Sequence, residues 1–259
     1  MTSLSGKVLS ATCSAATFTI LTLVWWLATR EGGASHLLPP PGAVLDGLRV
    51  GLLEGSLWPH VVFTLSATAA GWVLGCAAGI AAGALAGEWP RLSALLEPVV
   101  AALQSVPKVA IAPLFVAYFG FDALSKIVTV GLLCFFPCFV GTLAGMRSSS
   151  PELVDLYRGL GAGRWRTLWE VRLPGAAHHV FSALQVSVVL GFIACVVSEF
   201  IASRKGLGFL IKSRAGELDV TTMFTAIVVL TLMSVAGSGL MRLAHRRLVF
   251  WDRLGGAPR

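Results

Sequence analysis

The sequence has 259 residues, of which 56% are hydrophobic and 13% are charged, and its formal net charge is +7. A soluble domain of this length does not need so much apolar sequence, so the composition favours a membrane protein. The positive charge therefore does not imply a nucleic-acid partner, because basic residues set the orientation of membrane proteins.

Six apolar stretches are long enough to cross a bilayer as helices. A hydrocarbon core of ~30 Å needs about 20 apolar residues. In lipid the backbone must satisfy its own hydrogen bonds, which makes helices the default. We therefore predict an all-α polytopic membrane protein with six transmembrane helices. These cover residues 8–29, 56–87, 98–121, 127–146, 173–198 and 220–241.

The basic residues predict the side of the membrane on which each loop lies. With both termini in the cytoplasm, twelve Lys and Arg residues lie inside and seven outside, as the positive-inside rule expects. The outer loop at 202–219 carries four of the seven outer basic residues, which argues weakly against this orientation. The first apolar run is longer than the roughly 7–15 residues of a signal peptide, so we expect a retained anchor.

Residues 1–55 are predicted to hold this anchor helix and a proline-rich periplasmic segment. The sequence LLPPPGAVLDGL, residues 37–48, contains three prolines that end any helix. Apolar residues then repeat at helical spacing, which predicts a short amphipathic helix at the outer surface. They are Val44, Leu45, Leu48, Leu52 and Leu53. Residues 56–250 are expected to form the membrane core, and residues 251–259 a cytoplasmic tail.

The second span carries a glycine at every fourth position. Small residues in this register let helix backbones approach closely, so we expect them to pack against other helices. A step of four residues overshoots one turn by about 40°, so the stripe winds around its helix and can serve more than one neighbour. The glycines are Gly71, Gly75, Gly79, Gly83 and Gly87.

The third span is interrupted by prolines and polar residues. Pro98, Pro107 and Pro113 are expected to kink the axis because proline removes helical hydrogen bonds. A lysine inside a span usually faces the bundle interior or a cavity, although Lys108 could also snorkel to an interface. Gln104, Ser105 and Lys108 are therefore candidates for a substrate pathway.

The fifth span ends with Ser198 and Glu199. The carboxylate could be solvated at the end of its helix, pair with Lys108, or close an outer gate. We favour a structural role at the helix end, and keep both residues as candidates for the pathway.

The five cysteines all fall within apolar runs, so no disulfide framework is implied. Cys134 and Cys138 are one helical turn apart, but the sequence offers no further metal ligands beside them. We expect packing cysteines and no metal site.

The segment 147–174 is cationic and polar between two apolar spans. SSSPELVDLYRGLG, residues 148–161, predicts a helix capped by Ser150, with Pro151 and Glu152 in its first turn. RWRTLWEVR, residues 164–172, predicts a second short helix. Their apolar faces need either the base of the same bundle or a partner protein. These faces hold Leu153, Leu156, Leu160, Trp165, Leu168 and Trp169.

The spacing within this segment resembles the cytoplasmic loop signature of ATP-binding-cassette (ABC) importer permeases. That signature has Glu-Ala-Ala, a glycine six residues after the acid, and Ile-x-Leu-Pro ten further on. Here Asp155 supplies the acid, Gly161 the glycine, and Val171 begins the final motif that ends in Leu173-Pro174. Leu156 and Tyr157 replace the two alanines.

Four segments in order resemble the nitrate, sulfonate and taurine branch of this family. They are LPPPGAVLDGL, SVPKVAIAPLFVAYFGFDALSKI, GAGRWRTLWEVRLPGA and SRKGLGFLI. The resemblance implies a multi-pass protein of the bacterial inner membrane that works as two copies, with a cytoplasmic ABC ATPase dimer and a periplasmic or lipid-anchored substrate-binding protein. The ATPase would bind ATP and Mg, and this chain would carry no cofactor.

The resemblance also implies site residues. The loop would dock into a groove on the ATPase through Asp155, Leu156, Tyr157, Arg158, Gly161, Gly163, Leu173 and Pro174. The two glycines would allow a tight turn. Arg158, Arg164 and Arg166 would face acidic ATPase surface or lipid headgroups.

The resemblance favours a small anion such as nitrate, taurine or an alkanesulfonate as substrate. Similar permeases serve thiamine-precursor pyrimidines or other small aromatics, which is the alternative.

Two other classes of protein compete with the permease hypothesis. An ATP-independent carrier or channel would usually place several ionisable residues at mid-span. Here only Lys108 lies clearly within a predicted span, which disfavours a carrier coupled to protons or ions. A membrane enzyme would need a nucleophile and base or metal ligands. His178 and His179 are adjacent and point apart on a helix, and no H-E-x-x-H motif occurs. The sequence also lacks the glycine-rich phosphate-binding loop of ATPases, so ATP hydrolysis is assigned to another chain.

Overall fold

The computed structural model describes residues 4–30 and 38–250 and is helical through most of these ranges. The predicted tail at 251–259 and the side chain of Lys108 lie outside the described part. The α-helices are α1 (Leu4–Arg30), α2 (Pro41–Leu53), α3 (Trp58–Glu88), α4 (Pro90–Ser105), α5 (Ala112–Phe119), α6 (Ala123–Arg147), α7 (Pro151–Gly159), α8 (Arg164–Thr167), α9 (Leu173–Ile201), α10 (Leu207–Gly216) and α11 (Val220–Leu248). A 3-10 turn at Lys108–Ile111 precedes α5, and a π-helical turn at Leu168–Arg172 joins α8 to α9.

Four helical segments are long and apolar enough to cross a membrane. They match the second, fourth, fifth and sixth predicted spans and cover Trp58–Glu88, Ala123–Arg147, Arg164–Ile201 and Val220–Leu248. In the first predicted span α1 is helical, and its described apolar run is the shorter segment Thr19–Thr29. The helical prediction is thus confirmed for the described residues, whereas the count of six spans stays a prediction.

The third predicted span is divided into separate helices. α4 ends at Ser105, and Val106 is extended, with φ −70° and ψ 132°. The cause is Pro107, because the residue before a proline is pushed out of the helical region and proline offers no N–H to the preceding turn. Pro113 lies in the first turn of α5, where proline is tolerated.

Contacts divide the chain into two compact units. The first unit comprises Met1–Pro59 and Leu210–Val229. In it, the indole N–H of Trp25 donates to the carbonyl of Pro39 at 3.1 Å. The predicted amphipathic helix is α2, which opens at Pro41 and buries Val44. A short helix directly after the prolines is therefore confirmed.

The second unit comprises His60–Phe209 and Leu230–Arg259, and it rests on close contact between α3 and α6. A Cβ atom added at Gly71 would lie 2.6 Å from the carbonyl oxygen of Ile127, and one at Gly83 would lie 2.6 Å from that of Phe139. The glycine stripe faces α6 along its whole length, at Gly71, Gly75, Gly79, Gly83 and Gly87.

The nearest atoms to all five glycines belong to α6, and a contact of the stripe with further helices stays a prediction. Residues four apart form the ridge along which two helices cross at an angle. The line of glycines shifts gradually around α3, and α6 crosses α3 along the same line. α6 therefore contacts one glycine after another.

α9 also packs against α6, through two further glycines. Cβ atoms added at Gly141 and Gly145 would lie 2.6 Å and 2.8 Å from the Cβ atoms of Ala183 and Ala176. The predicted packing residues Cys134 and Cys138 are buried free thiols in this region. Within residues 4–30 and 38–250, no cluster of three or more His, Cys, Asp and Glu side chains could hold a metal ion.

Candidate functional site

The loop between α6 and α9 begins with a capped helix. The Ser150 hydroxyl accepts a hydrogen bond from the Leu153 N–H at 3.4 Å, and Pro151 opens the first turn of α7. Ser150 also donates to the Glu152 carboxylate, which lowers the pKa of that carboxyl. These contacts confirm the predicted cap, first-turn proline and first-turn acid.

Gly161 makes the turn that follows α7. Its φ is +80°, a backbone conformation that side chains with a Cβ rarely adopt. The turn is closed by the Ala162 N–H, which donates to the Tyr157 carbonyl at 2.9 Å. Gly163 has φ −71°, an ordinary value for any residue, so the tight turn depends on Gly161 alone of the two predicted glycines.

The apolar face of this loop is exposed. The side chains on it are between about half and three-quarters exposed: Leu153 49%, Leu156 55%, Leu160 77%, Trp165 60% and Trp169 66%. Val154, Thr167, Leu168 and Val171 are the residues of the loop that are buried against the rest of the unit. The sequence left two possible partners for this face, the base of the same bundle and a partner protein. The base of the bundle does not cover it.

Charged residues surround the exposed apolar face. Asp155 is 77% exposed and lies 3.9 Å from Arg158, and Arg166 donates to Glu170 at 3.0 Å. Exposed ion pairs of this kind contribute little to stability. These side chains are therefore free to change partners when another surface approaches.

Arg172 fastens the loop to the end of α3. Its Nη1 atom lies 3.2 Å from Glu88 Oε2 and donates to the carbonyl of Gly87 at 3.1 Å. The Arg172 and Glu88 side chains are largely buried, at 18% and 6% exposed. An ion pair so shielded from water is stronger than one at the surface.

Leu173 and Pro174 lie at the root of the loop, not on its exposed face. Leu173 packs against the buried cluster of Met146, Leu168 and Ala176. The residues predicted as one coupling contact are thus separated into an exposed face, from Asp155 to Gly163, and a half-buried root that meets α6 and α9.

A cavity of about 550 Å³ lies between α4 and the loop. On its wall Arg147 pairs with Glu97 and donates to Ser93 at 2.9 Å. The hydrogen bond from Arg147 holds the pKa of the Glu97 carboxyl below its usual range. Asp155 also lines this cavity, so ionic residues from α4, α6 and α7 meet there.

Glu199 is buried at the other end of α9 and holds the turn between α9 and α10. It is 1% exposed, and it accepts from the Thr64 hydroxyl at 2.8 Å and from the Gly208 N–H at 2.7 Å. Thr64 in turn accepts from the Leu207 N–H at 2.8 Å. A solvated carboxylate is therefore wrong for Glu199, and the structural role that the sequence favoured fits its contacts.

Lys126 directly precedes the fourth predicted span, at 127–146, and is fully buried. Its ammonium donates to the carbonyls of Phe121 at 2.6 Å and Ala202 at 2.5 Å, and it interacts electrostatically with Glu199. The turn at 203–208 also contains Gly206, which has φ +110° and where an added Cβ would collide with the Glu199 carboxylate. A glycine at position 206 is the feature of the sequence that could have indicated how closely this turn approaches Glu199.

The remaining pathway candidates are dispersed. Ser198 is fully buried, and its hydroxyl has no hydrogen-bond partner among the described residues. Ser105 is exposed and donates to the Ala102 carbonyl at 2.7 Å. Gln104 lines a second cavity, described next.

The second cavity, of about 550 Å³, lies between α4, α6 and α9. Its polar lining comes from Gln104, His179 and Ser182. The rest is apolar: Leu133, Phe136, Pro137, Val140, Gly141, Ala183, Val186 and Leu190. His179 and Ser182 were not among the predicted site residues, although their spacing of three places them on one face of α9.

Comparison with known proteins agrees with these features. Residues 75–250 match the family described as binding-protein-dependent transport system inner membrane component. The chain is 34% identical to a riboflavin transport system permease of Chloroflexus aurantiacus, over 90% of this chain and 88% of the relative. It is 31% identical to a taurine transport system permease of Escherichia coli, over 93% and 90%. It is 27% identical to a formylaminopyrimidine transport permease of Halalkalibacterium halodurans, over 91% and 94%.

A solved structure of the methionine ABC transporter MetNI, in inward-facing conformations, has a similar fold. The TM-score is 0.57 at 18% sequence identity, and the match covers 78% of this chain and 96% of that one. At this identity the similarity concerns the fold.

Proposed function

Because this chain belongs to the family of binding-protein-dependent transport system inner membrane components, we propose that it is the membrane-spanning permease subunit of an ATP-driven importer. It is a multi-pass protein of the inner membrane. The observation that carries the proposal is the exposed apolar face of α7 and α8, rooted by Arg172 in the ends of α3 and α9.

The loop 150–174 would couple the permease to a cytoplasmic ABC ATPase. An amphipathic helix that leaves its apolar side chains exposed is the kind of element that docks into a groove of another protein. Asp155, Leu156, Tyr157, Arg158 and Gly161 would enter the groove. The buried pair of Arg172 and Glu88 would then pass displacement of the loop to α3.

The complete importer would contain two copies of this chain, an ATPase dimer that binds ATP and Mg, and a periplasmic or lipid-anchored binding protein. Six spans with both termini in the cytoplasm would put the coupling loop on the ATPase side. In this arrangement the chain provides the route across the membrane and carries no nucleotide of its own.

Two classes of solute are candidates for the cargo. A small sulfonate such as taurine agrees with the taurine permease among the relatives. An uncharged heterocycle agrees with the riboflavin and formylaminopyrimidine permeases.

Replacement of Gly161 tests the coupling. Gly161→Trp cannot easily adopt φ +80° and adds bulk at the docking face, so ATP-driven uptake should be lost while the protein still inserts and pairs. Gly161→Asn is the matched control because asparagine tolerates this backbone conformation, and it should retain most uptake. Uptake and ATPase binding would be measured on complexes in liposomes. Full uptake by Gly161→Trp would contradict the coupling role.

A further inference from the structure

The second cavity combines polar side chains with a position deep in a membrane-spanning helix. Ser182 lies nine residues beyond Leu173, which is about 14 Å along α9. Gln104, His179 and Ser182 are all exposed on the single chain. Polar side chains at such depth normally face a water-filled path or another subunit rather than lipid.

The polar groups of the cavity include both donors and acceptors. The Gln104 amide offers two N–H donors and one carbonyl, and His179 offers one of each when neutral. The Ser182 hydroxyl donates to the His178 carbonyl at 2.9 Å, which leaves its oxygen lone pairs directed elsewhere. On α6, Pro137 has no N–H to give to the carbonyl of Leu133, and both residues line the cavity.

This set of groups discriminates between the two classes of cargo. An inorganic anion or a sulfonate group needs donors and positive charge, and the lining contains no Lys or Arg. A flat heterocycle presents alternating donors and acceptors along its edge and an apolar face, which would lie against Phe136 and Pro137.

We propose that the cavity formed by Gln104, His179, Ser182 and the α6 wall at Leu133 and Pro137 is the solute-contacting site of the pathway, and that its solute is an uncharged heterocycle. The proposal rests on the permease function above and narrows it to one class of cargo. The volume of about 550 Å³ is within the range of small-molecule sites.

Thiol labelling of the complex of this chain with its ATPase tests the proposal. Among the five cysteines Cys13 is exposed and the others are buried, so the background is Cys13→Ser. Ser182→Cys is treated with a charged, water-soluble thiol reagent. Ala78→Cys is the matched control, because Ala78 is exposed on α3 about 15 Å from Glu88, and Glu88 is level with Arg172.

Ser182→Cys should be labelled at least tenfold faster than Ala78→Cys, and riboflavin should slow that labelling whereas taurine and nitrate should not. Protection by taurine or nitrate instead of riboflavin would overturn the assignment of solute class. Equal labelling rates for the two cysteines, or labelling that none of the three solutes slows, would overturn the assignment of the site.

Uptake by the same complexes, supplied with the binding protein, separates this proposal from the proposed function. Gln104→Leu should raise the KM for riboflavin uptake at least fivefold, whereas Ala78→Cys, which lies outside the cavity lining, should change neither this KM nor basal ATP hydrolysis. An unchanged KM would refute the role of Gln104. If the wild-type complex hydrolyses ATP but takes up neither these three solutes nor a formylaminopyrimidine in an ATP-dependent way, the proposed function itself fails, whatever the labelling shows.

Discussion

Substitution of Gly75 by alanine should weaken the contact between α3 and α6. The added Cβ would lie 2.7 Å from the Cα and 2.8 Å from the carbonyl carbon of Gly131. Carbon atoms pack best at about 3.5–4.0 Å, so the helices must separate by about 1 Å. The carbonyl oxygen of Gly131 would be closer still. All three obstructing atoms belong to the backbone, so no side-chain rotation can relieve the clash.

The expected loss is about 1–3 kcal/mol, the usual range for overpacking a closely packed interior. Separation at Gly75 also loosens the neighbouring contacts at Gly71 and Gly79, which favours the upper part of that range. Gly42→Ala is the control, since nothing lies within 4 Å of a Cβ added there. Alanine is the better helix former, so that variant should be between neutral and about 1 kcal/mol more stable.

The assay is unfolding of the purified protein by SDS in mixed micelles, followed by circular dichroism. Gly75→Ala should unfold at a lower SDS fraction than the wild type, and Gly42→Ala should not. If the two variants unfolded together with the wild type, the α3–α6 contact would not depend on glycine, and the packing argument would be refuted.

Two further predictions concern charged groups. Glu199→Ala would remove the carboxylate that interacts with Lys126 and should lower the free energy of unfolding by about 3–5 kcal/mol in the same SDS titration. Glu199→Gln keeps a hydrogen-bond acceptor and should lower it less. Equal losses for the two variants would contradict this reasoning. Asp219 accepts from the Thr222 N–H at 3.1 Å, and hydrogen bonding by Thr222 lowers the pKa of the Asp219 carboxyl. Its stabilisation of α11 is therefore complete above the unfolded pKa of about 3.9 and is lost as pH falls through the lower folded pKa. Asp219→Ala should speed amide exchange in the first turn of α11 at pH 7, and this effect should shrink as pH falls below about 3.9. An acceleration that does not change with pH would refute the link to ionisation.

The sequence predicted those parts of the fold that depend on local chemistry. Ser150, Pro151 and Glu152 define a helix start through contacts within four residues, and the structure has them in place. The break at Pro107 likewise follows from the proline ring and the residue before it. Apolar runs identified four helices able to cross a membrane because length and hydropathy decide that property directly.

Long-range contacts could not be predicted in the same way. The Lys126 ammonium donates to a local carbonyl at Phe121 and to a carbonyl far along the chain at Ala202, and the sequence does not reveal the second contact. His179 and Ser182 matter through their position beside Gln104, which a helical pattern on α9 does not reveal. The helix that packs against the glycine stripe could not be predicted either, because it depends on the angle at which α6 crosses α3.

α9 connects three features of the second unit: the loop 150–174, the second cavity and the turn at 203–208. Arg172 precedes its first turn, His179 and Ser182 lie on its cavity face, and Glu199 is in its last turn. The helix is continuous over 29 residues, about 43 Å at 1.5 Å per residue. Displacement of the coupling loop would therefore move the cavity wall and the 203–208 turn together, because a continuous helix transmits rotation and tilt along its axis. This arrangement gives a physical route by which an event at the loop alters access to a cavity about 14 Å away.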